Sequence, residues 1–231
     1  MFKDRLKTIL GGSSAGGIST PSATLARPSA AGLGVATGPS YTRHSNGLDQ
    51  FFSSLRGQVG LNILDFAGAS QANVSFITNL GHRLSSEDYL RSLEITFGDE
   101  YFYENQDDPE QAQKFLDENL NFPAGHFDGA LVWDALQFLS PPLLEATVER
   151  LHTILRPGSS MLAFFHADEK AAQVPLYNYR ISDEKNLLLT PRGSRKRAQF
   201  FNNRGLEKLF QGQTVKFFLT RDSLREIIVR R

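Results

Sequence analysis

Four acidic residues and one histidine follow short apolar or small-residue runs, and they are where this chain could do chemistry. Asp65 closes Asn62-Ile63-Leu64-Asp65, and Glu87 and Asp88 follow Arg83 to Ser86. Asp134 follows Ala130 to Trp133, and His166 follows Met161 to Phe165. A carboxylate accepts hydrogen bonds in pairs, and an imidazole exchanges protons near neutrality. Binding of a polar ligand and general-base work, with Asp134 and His166 as the catalytic candidates, are therefore within reach. Other chemistries lack their residues. No Ser-His-Asp set, paired glycosidase carboxylates or phosphate-loop Lys is evident, and the five His show no metal-ligand spacing. The chain has no Cys, which excludes disulfides and thiolate metal sites and suits a reducing, cytoplasmic compartment.

The elements that would position these groups alternate. A short helix around Phe51, Phe52 and Leu55 precedes the run ending at Asp65. That run is compact and apolar, as a strand buried on both faces requires. Val74, Ile77 and Leu80 recur at helical spacing before Gly81, and Arg83 to Ser86 form a second strand. Ala130 to Trp133 read as a strand. Ser140-Pro141-Pro142 then starts a helix with Ser as its cap and the apolar stripe Leu144, Val148, Leu151, Leu155. Met161 to Phe165 form a further buried strand. Leu206, Leu209 and Phe210 mark a short helix, and residues 215–219 with 226–229 form a hairpin. Strands separated by helices specify a doubly wound α/β domain with a mostly parallel sheet, its last hairpin supplying an antiparallel strand. Ligands of such sheets bind at the carboxyl ends of the strands, which is where the acids fall.

Three segments resemble class I S-adenosylmethionine-dependent methyltransferases. Ile63 to Gln71 (ILDFAGASQ) sits where that family has an apolar pair, Asp, an apolar residue and Gly-x-Gly-x-Gly. Phe127 to Leu139 (FDGALVWDALQFL) is similar to the family's fourth strand and the turn behind it. Val148 to Phe165 (VERLHTILRPGSSMLAFF) is similar to its fourth helix, Arg-Pro-Gly turn and fifth strand. The resemblance implies a Rossmann-like, seven-stranded sheet, with S-adenosylmethionine as cofactor and methyl transfer to an unidentified acceptor as function. It implies cofactor contacts from Asp65, Ala67, Gly68, Ala69, Ser70, Asn73, Asp88 and Asp134. Asp88, with Glu87 as neighbour, would grip the ribose diol, since a carboxylate accepts a fork of two hydrogen bonds. Asp117, near a short third strand at Phe115-Leu116, would meet the adenine. The family's three glycines fall on Ala67, Ala69 and Gln71. Where a position needs φ > 0, Ala costs about 1–2 kcal/mol, and Gln71 adds a long side chain. The alternative reading is therefore a non-catalytic, methyltransferase-like binding or interaction protein that has lost the cofactor site.

Outside the domain, expected over residues 46–231, residues 1–45 read as a disordered tail. From Gly11 to Ser40, 25 of 30 residues are Gly, Ala, Ser, Thr or Pro, too little apolar content to offset chain entropy. Net charge is zero, so no global field attracts nucleic acid, and no apolar run reaches membrane-spanning length. The zero hides an acidic stretch from Glu87 to Asp128 and a basic one from Pro191 to Arg231, expected as two solvated faces. Arg195-Lys196-Arg197 is expected as a solvated turn. Trp133 is expected in the core, and Tyr177 and Tyr179 lie where the family often carries substrate contacts.

Overall fold

The computed structural model describes residues 36–218, 220 and 222–231. Most of the expected tail, residues 1–35, lies outside the described residues. In chain order the elements are β1 (Tyr41–His44), α1 (Asn46–Leu55), β2 (Asn62–Asp65), α2 (Gln71–Asn79), β3 (Arg83–Ser86), α3 (Tyr89–Phe97), α4 (Phe102–Gln106) and α5 (Pro109–Asn119). Then come β4 (Phe127–Trp133), a 3-10 turn (Ala135–Phe138), α6 (Pro141–Ile154), β5 (Leu155–His166), β6 (Val174–Ile181), β7 (Asn186–Arg195), α7 (Asn203–Leu209), β8 (Thr214–Phe218) and β9 (Leu224–Arg230).

The main sheet has the order β3-β2-β4-β5-β9-β8. Its first four strands are parallel, and β9 is antiparallel to both β5 and β8. The closing hairpin thus forms as its sequence specifies. The strand order jumps from β2 outward to β3 and inward to β4, so the carboxyl ends of β2 and β4 flank the switch point. Ile63, Leu64, Ala130, Leu131, Leu162 and Phe164 are fully buried, as strands covered on both faces require. Gly129 allows α1 to approach: a Cβ there would meet Phe51 Cζ at 2.9 Å.

Three features depart from the sequence reading. First, among the described residues the main sheet has six strands, where the resemblance implies seven. Phe115 and Leu116 lie inside α5, where Asp108 accepts from the Glu110 and Gln111 amides and Pro109 occupies the first turn. Ala112, Phe115 and Leu116 form one buried helical stripe, so helical period and capping override the short apolar pair. Second, β1, β7 and β6 form a separate three-stranded antiparallel sheet. Tyr41–His44, within the expected tail, is one of its edges, because four extended residues there pair with Asn186–Leu189. Third, Ser140 occupies the N-cap of α6 but its hydroxyl makes no capping bond, and Pro141 and Pro142 fill the first turn.

The β1 end of the small sheet is tied to the main one by charge. Arg43, 6% exposed, donates to Glu226 on β9 and to Asp222. Glu226 also accepts from Ser45 Oγ at 3.0 Å and from the Gly47 amide at 2.6 Å, so it sits against the N-terminus of α1.

Candidate functional site

The candidate site is built from the ends of β2, β3 and β4 upward. Asp65, at the end of β2, is fully buried. Its Oδ1 accepts from the Ala67 amide at 2.9 Å and from Trp133 Nε1 at 2.6 Å, and its Oδ2 accepts from Asn73 Nδ2 at 2.9 Å. Burial raises its pKa, against the pull of those three donors. The following loop turns at Gly68, whose φ of 78° needs glycine, and a Cβ there would meet Asp88 Cβ at 3.0 Å. Ala69 is exposed, and Ser70 caps α2 by accepting from the Asn73 amide. Gln71 points outward as the first helical residue and donates to Ser75 Oγ at 2.8 Å, so it closes nothing.

Asn73 is the junction. Its Nδ2 also donates to the Tyr179 carbonyl at 3.2 Å, and its Oδ1 accepts from the Ile181 amide at 2.8 Å. Both partners belong to β6. The Tyr179 ring in turn lies flat on the Trp133 indole, centroids 4.9 Å apart and planes 9° apart. Trp133 holds a left-handed φ of 53°, a rare state for an aromatic residue. The β6–β7 hairpin therefore covers the carboxyl ends of β2 and β4.

Asp88 caps α3, accepting from the Arg91 amide at 3.1 Å, and lies 3.5 Å from the Arg192 guanidinium of β7. Asp134 follows β4 at 1% exposure. Burial pushes its carboxyl up to about 7, against the pull of Arg192 and Tyr179. Tyr179 Oη faces the Asp134 carboxyl, but neither it nor Asp134 Oδ2, Arg192 Nε, Gln137 Nε2 or His166 Nε2 makes a hydrogen bond of good geometry. His166, 3% exposed, is pushed down to about 4 by burial and by Arg197, with a bond to the Pro175 carbonyl opposing. It is a neutral imidazole at pH 7 and a weak base.

The structure thus brings together Asp65, Ala67, Gly68, Asn73 and Asp88 around one loop, with Asp134 beside them through Arg192 and Tyr179. Asp117 is elsewhere, exposed on α5 and paired with Arg150 at 2.9 Å. The basic run is not a free turn. Arg195 pairs with Glu94 at 2.7 Å and covers the Phe102 ring, and Arg197 donates to the His166 and Asp168 carbonyls. Sequence reasoning missed Arg192, which had no motif around it.

In this arrangement several of these residues are engaged by the chain itself. Asp65 accepts three hydrogen bonds from the chain itself, and both polar ends of the Asn73 side chain are bonded within the chain. The Tyr179 ring covers the Trp133 face, and Arg192 stands beside both Asp88 and Asp134. Cavities of about 420 and 610 Å³ open elsewhere, between α6 and α7 and beside β1. Among the described residues, no group of three or more His, Asp or Glu is placed to hold a metal. Among the same residues, no helix is long and apolar enough to cross a membrane.

No family model and no curated protein matches the sequence. Solved structures do. One is the 1,6-didemethyltoxoflavin-N1-methyltransferase of Burkholderia thailandensis, with bound 1,6-didemethyltoxoflavin and S-adenosylhomocysteine. It is 13% identical over 80% of this chain and 76% of that one, with a TM-score of 0.45. The PH0226 protein of Pyrococcus horikoshii OT3 is 12% identical over 80% and 87%, with a TM-score of 0.46. The glycopeptide N-methyltransferase MtfA is 12% identical over 80% and 90%, with a TM-score of 0.44. Likenesses this distant carry no argument about function, which rests on the geometry of the strand ends.

Proposed function

We propose that this chain is a methyltransferase-like binding or interaction protein rather than a methyl-transferring enzyme. The carrying observation is Asp65: both its oxygens are engaged by the chain's own donors, Ala67, Trp133 and Asn73. A buried carboxylate satisfied by its own chain gains little from a ligand and loses much if its donors leave. The test is calorimetry with S-adenosylhomocysteine on the full chain. No heat of binding is expected at millimolar ligand, and a micromolar Kd would overturn the reading.

A second reading is S-adenosylmethionine-dependent methyl transfer to an unidentified acceptor. It is favoured by the unpaired buried polar atoms of Asp134, Tyr179 and Arg192, which a ligand would satisfy. In that reading Asp65, Ala67, Gly68, Ala69, Ser70, Asn73, Asp88 and Asp134 are the cofactor contacts once the hairpin is out of the way. Micromolar binding in the same titration would favour it.

A further inference from the structure

The small sheet is held very differently at its two ends. At β1 every charge is matched: Arg43 meets Glu226 and Asp222, and Glu226 also takes Ser45 Oγ and the Gly47 amide. At β6 the tie into the cleft is Asn73, which bonds Asp65 on one side and Tyr179 and Ile181 on the other; His166 adds a bond to the Pro175 carbonyl, and β7 adds ion pairs from Arg192 to Asp88 and from Arg195 to Glu94 and Asp99. Directly over Asp134 the contact is less well matched. Tyr179 Oη faces the Asp134 carboxyl without a well-formed hydrogen bond, and Arg192 Nε on the hairpin and Gln137 Nε2 and His166 Nε2 on the floor lack partners. All five side chains are more than nine-tenths buried.

Buried polar groups are paired almost everywhere in folded proteins, so a contact that strands them on both faces loses less when it opens than a matched one. Opening also lets solvent reach each unpaired atom. The floor stores backbone strain as well: Trp133 keeps its φ of 53° under a bond to Asp65 and the stacked Tyr179 ring. Local openings of this kind draw on the least stable contacts and leave the core paired.

We infer that the β6–β7 hairpin is a hinged cover, fixed at β1 by Arg43, latched by Asn73 and by the ion pairs of Arg192 and Arg195, and lifting from Trp133 and Asp134 without unfolding the main sheet. The inference rests on the reading that the hairpin, rather than a ligand, fills the strand-end cleft. It adds that the filling is reversible.

Hydrogen exchange on the full wild-type chain tests it, followed at low, rising denaturant. The Ile181 amide reports the latch, because it donates to Asn73 Oδ1. Leu131 and Leu162 report the main sheet. Ile181 should exchange at least about tenfold faster than the two core amides, with little dependence on denaturant. Exchange of all three through one common, denaturant-sensitive opening would overturn the cover. Asn73→Ala provides the second arm. It should speed Ile181 about tenfold further and increase acrylamide quenching of Trp133, the only tryptophan, while leaving Leu162 unchanged. A folded variant with wild-type quenching would overturn the latch. The wild-type arm does not need the variant to fold. Binding of S-adenosylhomocysteine by wild type would sink the proposed function but would leave the exchange result standing, so the two failures are separable.

Discussion

Replacing Asp134 by Asn should abolish a pH dependence that one buried carboxyl imposes on the whole fold. Asp134 titrates at about 7 in the folded chain, against an ordinary value of 3.8. The groups that face it are Arg192 from β7 and Tyr179 and Tyr177 from β6. Its folded pKa is raised, so between about pH 4 and pH 7 the native state holds a proton that the unfolded chain has lost. Stability from this group is present in full below about pH 4 and falls as pH rises, levelling off above about pH 7. A shift of about 3 units at ~1.4 kcal/mol each gives about 4 kcal/mol in total. Asn keeps the shape and carries no titrating proton. Urea unfolding of both proteins at unit steps from about pH 4 to about pH 8 isolates the effect, because the remaining acids titrate in both and cancel. The variant should gain steadily on wild type through that window, by about 4 kcal/mol at its upper end. A difference constant to within about 0.5 kcal/mol would refute the reasoning, and would mean that water reaches Asp134 in the native state.

Arg43→Met leaves Glu226 buried without its cation and should cost about 3–5 kcal/mol in chemical denaturation; a loss below about 1 kcal/mol would show the β1 tie to be dispensable. Gln71→Gly should lower stability by about 1 kcal/mol without creating affinity for S-adenosylhomocysteine, since its side chain bonds Ser75 outside the cleft; calorimetry and melting on one sample decide it. Gly129→Ala drives a methyl group into Phe51 and should cost about 1–3 kcal/mol, read as a lower unfolding midpoint, and an unchanged midpoint would mean that α1 shifts freely.

The positions of the acids were legible because each follows a run that the strand signal marks. Asp65 ends β2, Asp134 follows β4, Asp88 caps the helix after β3, and the parallel order brings all three to one edge. Gln71 was half legible: its long side chain was visible as an intrusion, but its outward rotamer follows from where α2 begins. The pair Phe115-Leu116 misled, because two apolar residues fit a strand until the stripe through Ala112 and the cap at Asp108 are counted together. Arg195 and Arg197 misled in the opposite sense, their charges being spent on Glu94 and on backbone carbonyls.

By itself, then, the sequence determined what local pattern can carry: alternation of strands and helices, the closing hairpin, and the identity of the groups at the strand ends. Period, capping and turn residues act over a few residues, and they suffice for that. The state of the cleft was decided only by the tertiary structure. Asn73 meets Ile181 across 108 residues, Trp133 meets Asp65 across 68, and Arg43 meets Glu226 across 183. No spacing rule links such pairs. Whether the Asn73 and Trp133 that bond Asp65 are open or covered depends on where a hairpin more than 100 residues from Asp65 comes to rest. That position is fixed by packing and hydrogen bonding in three dimensions, not by periodicity along the chain.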